Sequence, residues 1–258
     1  MDLGIAGIRV IVTAGAGGIG LEIARAFLKE GARVEVCDVD DAALEALGDT
    51  APGATGTWCD VSDRASVAAF MDGALGRLGG LDVLVNNAGI AGPTGRVDQI
   101  SPEDWDRTLA VDITGHFNVT RLAVPALKES ENASIIGLSS AAGRFGFPLR
   151  SPYAAAKWGV VGFIKSLAME LGEFGIRANA ILPGSVDGPR IRSVFENKAR
   201  ERNMSMEEVQ AMALSATSLK RLIPPQHLAN VAVFLSSPMG STISGQAIAV
   251  DGDMQMLV

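Results

Sequence analysis

The chain has 258 residues, 48% of them apolar, enough for one large α/β domain or two small ones around a sizeable core. Its formal charge of -7 and its pI of about 4.9, with no basic cluster, argue against a nucleic-acid surface and point to a small-molecule partner. No apolar run of about eighteen residues is free of charges or breakers, and the Met1-Asp2-Leu3 start lacks a signal peptide's basic region, so no membrane partner and a cytoplasmic location are expected.

Residues 8–13 (Ile-Arg-Val-Ile-Val-Thr) predict a first strand, residues 14–20 (Ala-Gly-Ala-Gly-Gly-Ile-Gly) a glycine turn, and residues 21–30 an amphipathic helix. Strand, turn and helix stand in the order a pyrophosphate site needs. Glycines let the backbone approach the anion, and the helix directs its free N–H groups at it. The candidate contacts are Gly15, Gly17, Gly18, Ile19 and Gly20. A second strand, 33–37, ends in Asp38, where a carboxylate accepts hydrogen bonds from the hydroxyls of an adenosine ribose. The same carboxylate repels a 2′-phosphate, which favours NAD over NADP.

A third strand, 54–59, leads to Asp60 and Val61; Asp60 suits either the adenine amino group or the cap of the next helix. Val67, Phe70, Met71, Ala74 and Leu78 mark one face of that helix. A fourth strand, 81–85, runs into Asn86-Asn87-Ala88-Gly89, a turn suited to packing against a cofactor. Ser101-Pro-Glu-Asp104 has the form of a capping box, and the helix it opens is expected to run through Asp112 and resume toward Leu127. The fifth strand, 133–138, precedes Ser140.

Ser151 as N-cap and Pro152 in the first turn predict a helix that puts Tyr153 and Lys157 on one face, continuing to about Glu173. A tyrosine with its ordinary pKa near ~10 is a poor base at neutral pH, but an adjacent ammonium favours the phenolate. Ser140, Tyr153 and Lys157 therefore form a candidate proton-transfer group. The sixth strand, 175–182, is stopped by Pro183-Gly184. Between Val186 and Pro224 the pattern predicts two helices, 190–202 and 205–214, joined near Asn203-Met204 as a lid; a further helix, 225–237, and a last strand, 246–250, close the chain. Cys37 and Cys59, with only two histidines, His116 and His227, read as free structural thiols, so no metal is expected. With no repeat or linker, the expectation is a single α/β domain over 1–258: a Rossmann-type, doubly wound parallel sheet with helices on both faces and a helical substrate lid at about 186–224.

These residues resemble the short-chain dehydrogenase/reductase family. The motifs that carry the resemblance are residues 13–20, 86–89, Ser140, Tyr153 with Lys157, Pro183-Gly184, and Ser244-Gly245 followed by Val250-Asp251-Gly252. The resemblance implies hydride transfer between a secondary alcohol carbon and a nicotinamide. In it Tyr153 is the acid/base, Ser140 orients the substrate oxygen, and Lys157 holds the nicotinamide ribose. Asp38, Asp60, Val61, Asn87 and Val186 fall on the family's coenzyme contacts. It also implies a homotetramer. Three residues depart from the pattern. Ala14 replaces the first glycine, with a small local shift expected. Asp112 stands where an asparagine usually completes a tetrad, so it joins the catalytic candidates. Gly188 replaces a threonine.

The substrate expected from Phe145, Phe147 and the apolar lid residues Ile191, Val194, Phe195, Met204, Met206, Val209, Met212 and Leu214 is a hydrophobic cyclic alcohol, terpenoid or aromatic. The same lid side chains also suit packing of the lid on the body. Arg144, Arg150 and Arg190 leave a hydroxy acid open, and a sugar alcohol or a non-catalytic NAD-binding regulatory role stand as alternatives.

Overall fold

The computed structural model describes residues 3–257. Its first unit is β1 (Arg9–Thr13), whose β-branched run alternates between two cores: Ile11 faces one, Val10 and Val12 the other. The chain continues through α1 (Gly18–Lys29), β2 (Arg33–Asp38), two short helices α2 (Asp41–Glu45) and α3 (Leu47–Thr50), and β3 (Ala54–Trp58). Then come α4 (Arg64–Leu78), β4 (Val83–Asn86), α5 (Pro102–Leu109) and α6 (Gly115–Leu127). The second half runs through β5 (Ser134–Leu138), α7 (Ser151–Leu171), β6 (Arg177–Pro183), α8 (Pro189–Arg202), α9 (Met206–Ser215), α10 (Pro225–Ser236) and β7 (Ala247–Val250).

The seven strands form one sheet in the order β3-β2-β1-β4-β5-β6-β7, with every neighbouring pair parallel. One core lies under α4, α6 and α7, the other under α1 and α10. The expected face of α4 is buried in full: Val67, Phe70, Met71, Ala74 and Leu78. Both faces of β4 and β5 are covered, which is why these strands read as continuous apolar runs. β1 sits between β2 and β4, so successive connections leave it in opposite directions. The crevice at the carboxyl ends of those strands is where such sheets receive ligands.

Several local expectations change. α2 and α3 fill a crossover too short to show helical periodicity. Asp63, not Asp60, caps α4, accepting from the Ala65 N–H at 2.9 Å. As expected, Ser101 caps α5, its Oγ accepting the Asp104 N–H at 3.0 Å. A π-helical turn, Ala110–Thr114, joins α5 to α6 and carries Asp112. α7 begins one residue early: Ser151 is its first helical residue, its hydroxyl is buried without a hydrogen-bond partner, and Arg150 occupies the cap position. The reason lies upstream, where Leu149 takes φ +65° and Arg150 reaches the Ala91 carbonyl, fixing the approach to the helix. Asn203 joins α8 to α9 with φ +53°, a conformation asparagine tolerates better than most residues.

Candidate active site

The carboxyl ends of β1, β4, β5 and β6 and the start of α8 enclose a cavity of about 350 Å3. At one end lies the glycine turn. A Cβ at Gly17 or Gly18 would meet nothing within 4 Å, and both residues line the cavity with Ile19, so their lack of a side chain keeps open the space before the α1 N-terminus. Gly15 and Gly20 are glycines for a different reason. A Cβ on Gly20 would lie 2.1 Å from the Ala14 carbonyl oxygen, and one on Gly15 would lie 2.6 Å from Val36 Cβ. The expected contacts thus divide into two that clear room for an anion and two that let strand and helix pack. Ala14 itself adopts φ +49°, the left-handed region, so the local shift expected there is a backbone strain that glycine would avoid.

Asn87 braces this turn, its Nδ2 donating to the Thr13 and Ala14 carbonyls at 3.0 Å each. Thr13 Oγ1 in turn accepts the N–H groups of Asn87 at 2.9 Å and Ala88 at 3.0 Å. Asp38 lines the cavity, accepting from the Ala16 N–H at 3.1 Å and the Val39 N–H at 2.8 Å. Asp60 and Val61 lie outside the cavity lining. The Asp60 carboxylate is engaged by Ser62 at 2.7 Å and by Arg107 at 3.3 Å, and these contacts outweigh its burial and hold it below the usual carboxylate range. Val61 packs against Gly115. Val186 lines the cavity and bridges Ile223. The open backbone at Gly17 and Gly18, the helix N-terminus and the Asp38 carboxylate fit a dinucleotide in that order.

At the other end Ser140, Tyr153 and Lys157 line the same cavity. Ser140 Oγ accepts the Ala142 N–H at 3.1 Å, and neighbouring Ser139 donates to the Lys157 carbonyl at 2.7 Å, tying the end of β5 to α7. Lys157 Nζ donates to the Leu138 carbonyl at 3.2 Å and stands 5.6 Å from the centre of the Tyr153 ring. Asp112 is fully buried behind them; its Oδ1 accepts the Ile90 N–H at 2.6 Å and its Oδ2 lies 3.3 Å from Lys157 Nζ. That second contact is an ion pair set off the hydrogen-bonding direction. His116, one turn on, is buried with Nε2 3.2 Å from the Ala88 carbonyl oxygen; burial first, then the Lys157 charge, lowers its pKa to about 3.

The residues expected to form a lid divide as well. Ile191 and Val194 line the cavity beside Phe147, whereas Phe195 and Val209 form a separate core with Met204 and Met206 between α8 and α9. Arg144 does not turn inward: Asp251 holds it at 2.6 Å, with the Met254 carbonyl at 2.9 Å. Arg150 and Arg190 do line the cavity. Lys198 and Leu257 were not anticipated. Lys198 sits over the Phe147 ring at 4.2 Å, with its pKa lowered to about 7 by burial and then by the charges of Arg150 and Arg202. The sequence signal for it was the spacing of Arg190, Val194 and Lys198, four apart on one helix face. Leu257 offers no such signal; it lines the cavity because the tail folds back. Cys37 and Cys59 are free and buried, and the hydrogen bond between them pushes the Cys37 thiol up. Among the described residues no group of three or more His, Cys, Asp or Glu is placed to hold a metal, and no helix is long and apolar enough to cross a membrane.

A family described as Enoyl-(Acyl carrier protein) reductase matches residues 13–255. The chain is a short-chain dehydrogenase/reductase. It is 36% identical over 248 residues to the 3-oxoacyl-acyl-carrier-protein reductase FabG of Thermotoga maritima, covering 95% of this chain and 96% of that one. It is 34% identical to momilactone A synthase of Oryza sativa subsp. japonica, over 96% of this chain and 89% of that one. A crystal structure of an actinorhodin polyketide ketoreductase variant with NADPH superposes with a TM-score of 0.89 at 34% identity, over 95% and 96% of the two chains. As a short-chain dehydrogenase/reductase the chain is an oxidoreductase of alcohols and ketones that binds a nicotinamide dinucleotide. When bound, the nicotinamide supplies the hydride donor or acceptor.

Proposed function

We propose that this short-chain dehydrogenase/reductase is NAD-dependent and interconverts a secondary alcohol and its ketone on a mainly hydrocarbon, cyclic skeleton. The observation that carries the reading is one cavity lined at one end by Gly17, Gly18 and Asp38 and at the other by Ser140, Tyr153 and Lys157. Tyr153 passes the proton to or from the substrate oxygen, Ser140 orients that oxygen, and Lys157, held by Asp112, positions the ribose. Asp38 supports NAD, since a ribose 2′-phosphate would meet a carboxylate that already faces its lining. Phe147, Ile191 and Val194 support an apolar ring, each Å2 they cover being worth about 25 cal/mol. We read the whole of 1–258 as one domain with α8 and α9 as its lid, working in the cytoplasm. Trp158, 51% exposed, and Met169, 86% exposed, on the outer side of α7, support assembly into a homotetramer.

Reduced-nicotinamide absorbance with NAD and a panel of cyclic, aromatic, terpenoid and sugar alcohols tests this. Turnover of cyclic hydrocarbon alcohols above that of polyols is expected; a better catalytic efficiency for polyols would overturn the substrate reading. Light scattering on the purified protein reports the tetramer.

A further inference from the structure

The substrate half of the cavity holds more positive charge than its catalytic roles use. Arg150 Cζ lies 5.2 Å from the centre of the Tyr153 ring and 5.3 Å from that of Phe147; Arg190 Cζ lies 5.9 Å from Tyr153. Both line the cavity, one from the start of α7 and the other from the first turn of α8. Arg150 is only 2% exposed and its Nε is buried without a hydrogen-bond partner. One N–H group of each guanidinium is used on the loop after β4, Arg150 on the Ala91 carbonyl and Arg190 on that of Gly89 at 2.9 Å. A guanidinium has five N–H donors, so each keeps most of its fork. Among the described residues neither arginine is ion-paired: Asp112 is taken by Lys157 and Asp187 by Arg192 at 3.4 Å.

Two guanidinium groups beside one tyrosine ring repel each other, and the buried one, Arg150, has lost hydration while Arg190 remains exposed. Burial first pushes Arg150 below the ordinary arginine range, and the neighbouring Arg190 charge acts in the same direction, against the opposing influence of Tyr153 and Asp112. Such a group is stabilised when an anion accepts its remaining N–H bonds, and the planar fork can grip a carboxylate through two parallel hydrogen bonds. The glycine turn before α1, which receives the dinucleotide's phosphates in our reading, lies at the far end of the cavity. The arginines face the tyrosine end. We infer that the substrate is a hydroxy acid or keto acid, whose carboxylate is held by Arg150 and Arg190 while its apolar body lies against Ile191 and Val194 and its carbinol meets Tyr153. This rests on the reading of Tyr153 as the proton carrier for a secondary alcohol.

Calorimetry of the protein saturated with NAD separates the two ideas, because it needs no turnover. Cyclohexanecarboxylate is expected to bind at least tenfold more tightly than cyclohexanecarboxamide, with the preference falling to near unity in Arg190→Gln and reduced in Arg150→Lys. Arg150→Lys keeps a donor for the Ala91 carbonyl, and circular dichroism checks that both variants fold. Equal affinity for acid and amide, or a preference untouched by Arg190→Gln, overturns the inference. Steady-state oxidation of 3-hydroxycyclohexanecarboxylate against its methyl ester provides the second readout. The acid is expected to have at least tenfold higher kcat/KM, carried mainly by KM, and an ester as good as the acid overturns the inference. Tight carboxylate binding without oxidation of any alcohol would instead sink the reading of Tyr153 as proton carrier for a secondary alcohol and leave the anion subsite standing.

Discussion

Asp112 and Lys157 form an ion pair in the interior, 3.3 Å from Oδ2 to Nζ, with the carboxylate fully buried and the ammonium side chain 3% exposed. The pair links the π-helical turn before α6 to the cavity-lining face of α7, so it couples the position of Lys157 to that turn. An amide at 112 keeps the acceptor for the Ile90 N–H, which is why Asp112→Asn is expected to retain activity within about tenfold. Asp112→Ala leaves a buried ammonium unpaired and should cost about 3–5 kcal/mol. Thermal unfolding and kcat/KM of the two variants check this, and complete inactivity of Asp112→Asn would show that the carboxylate itself is required.

Tyr153→Phe removes the hydroxyl without emptying the site and is expected to abolish turnover while NAD binding stays nearly intact. Lys157→Ala should damage both, since Lys157 also bonds the Leu138 carbonyl and faces Asp112. Stopped-flow turnover paired with NAD titration measures the split. More than a few per cent residual activity in Tyr153→Phe would rule out its assigned role.

Cofactor choice follows from Asp38. Catalytic efficiency with NAD should exceed that with NADP by well over tenfold, since tenfold needs only about 1.4 kcal/mol and a like-charge contact in a partly buried site costs more. Asp38→Ser is expected to narrow the ratio, and equal efficiencies in the unaltered protein would refute the assignment.

Within the turn, Gly20 and Ala14 predict opposite results. Gly20→Ala would put a methyl group 2.1 Å from the Ala14 carbonyl oxygen and should disrupt the turn and NAD binding together. Ala14→Gly relieves a left-handed alanine, so it should raise stability by up to about 1 kcal/mol at no cost in affinity. Denaturant unfolding and calorimetric NAD titration report both.

His116 predicts acid sensitivity. Its folded pKa of about 3 lies below the ordinary histidine value near ~6.5, so between those limits the unfolded chain binds the extra proton. Stability from this group is complete above about pH 6.5 and is lost as pH falls toward about 3, with about 2 kcal/mol gone by pH 5. His116→Gln keeps an N–H donor for the Ala88 carbonyl and should flatten the pH 5 to 7 limb of the unfolding curve. An unchanged slope would remove His116 from the cause.

The alternating or continuous apolar runs, the turn of residues 14–20 and the Tyr153/Lys157 spacing are local patterns, and they made the strands, most helices and the face of α7 that lines the cavity legible in the sequence. The same holds for the break at Asn203, which is a local backbone preference. Asp38 was legible because a strand end fixes where a carboxylate points. Other features came from contacts distant in the chain. Arg150 pre-empts Ser151 as the cap because its side chain is committed to Ala91, 59 residues earlier. Asp60 is drawn from the cavity by Arg107 on α5. Arg144, Arg150 and Arg190 look alike in sequence, yet Asp251 takes the first while the others meet at Tyr153. Hydrophobic periodicity specifies which face of an element is buried. The partner of a long charged side chain is settled only when packing brings acids and carbonyls from other elements within about 3 Å, and there the tertiary structure decided what the sequence left open.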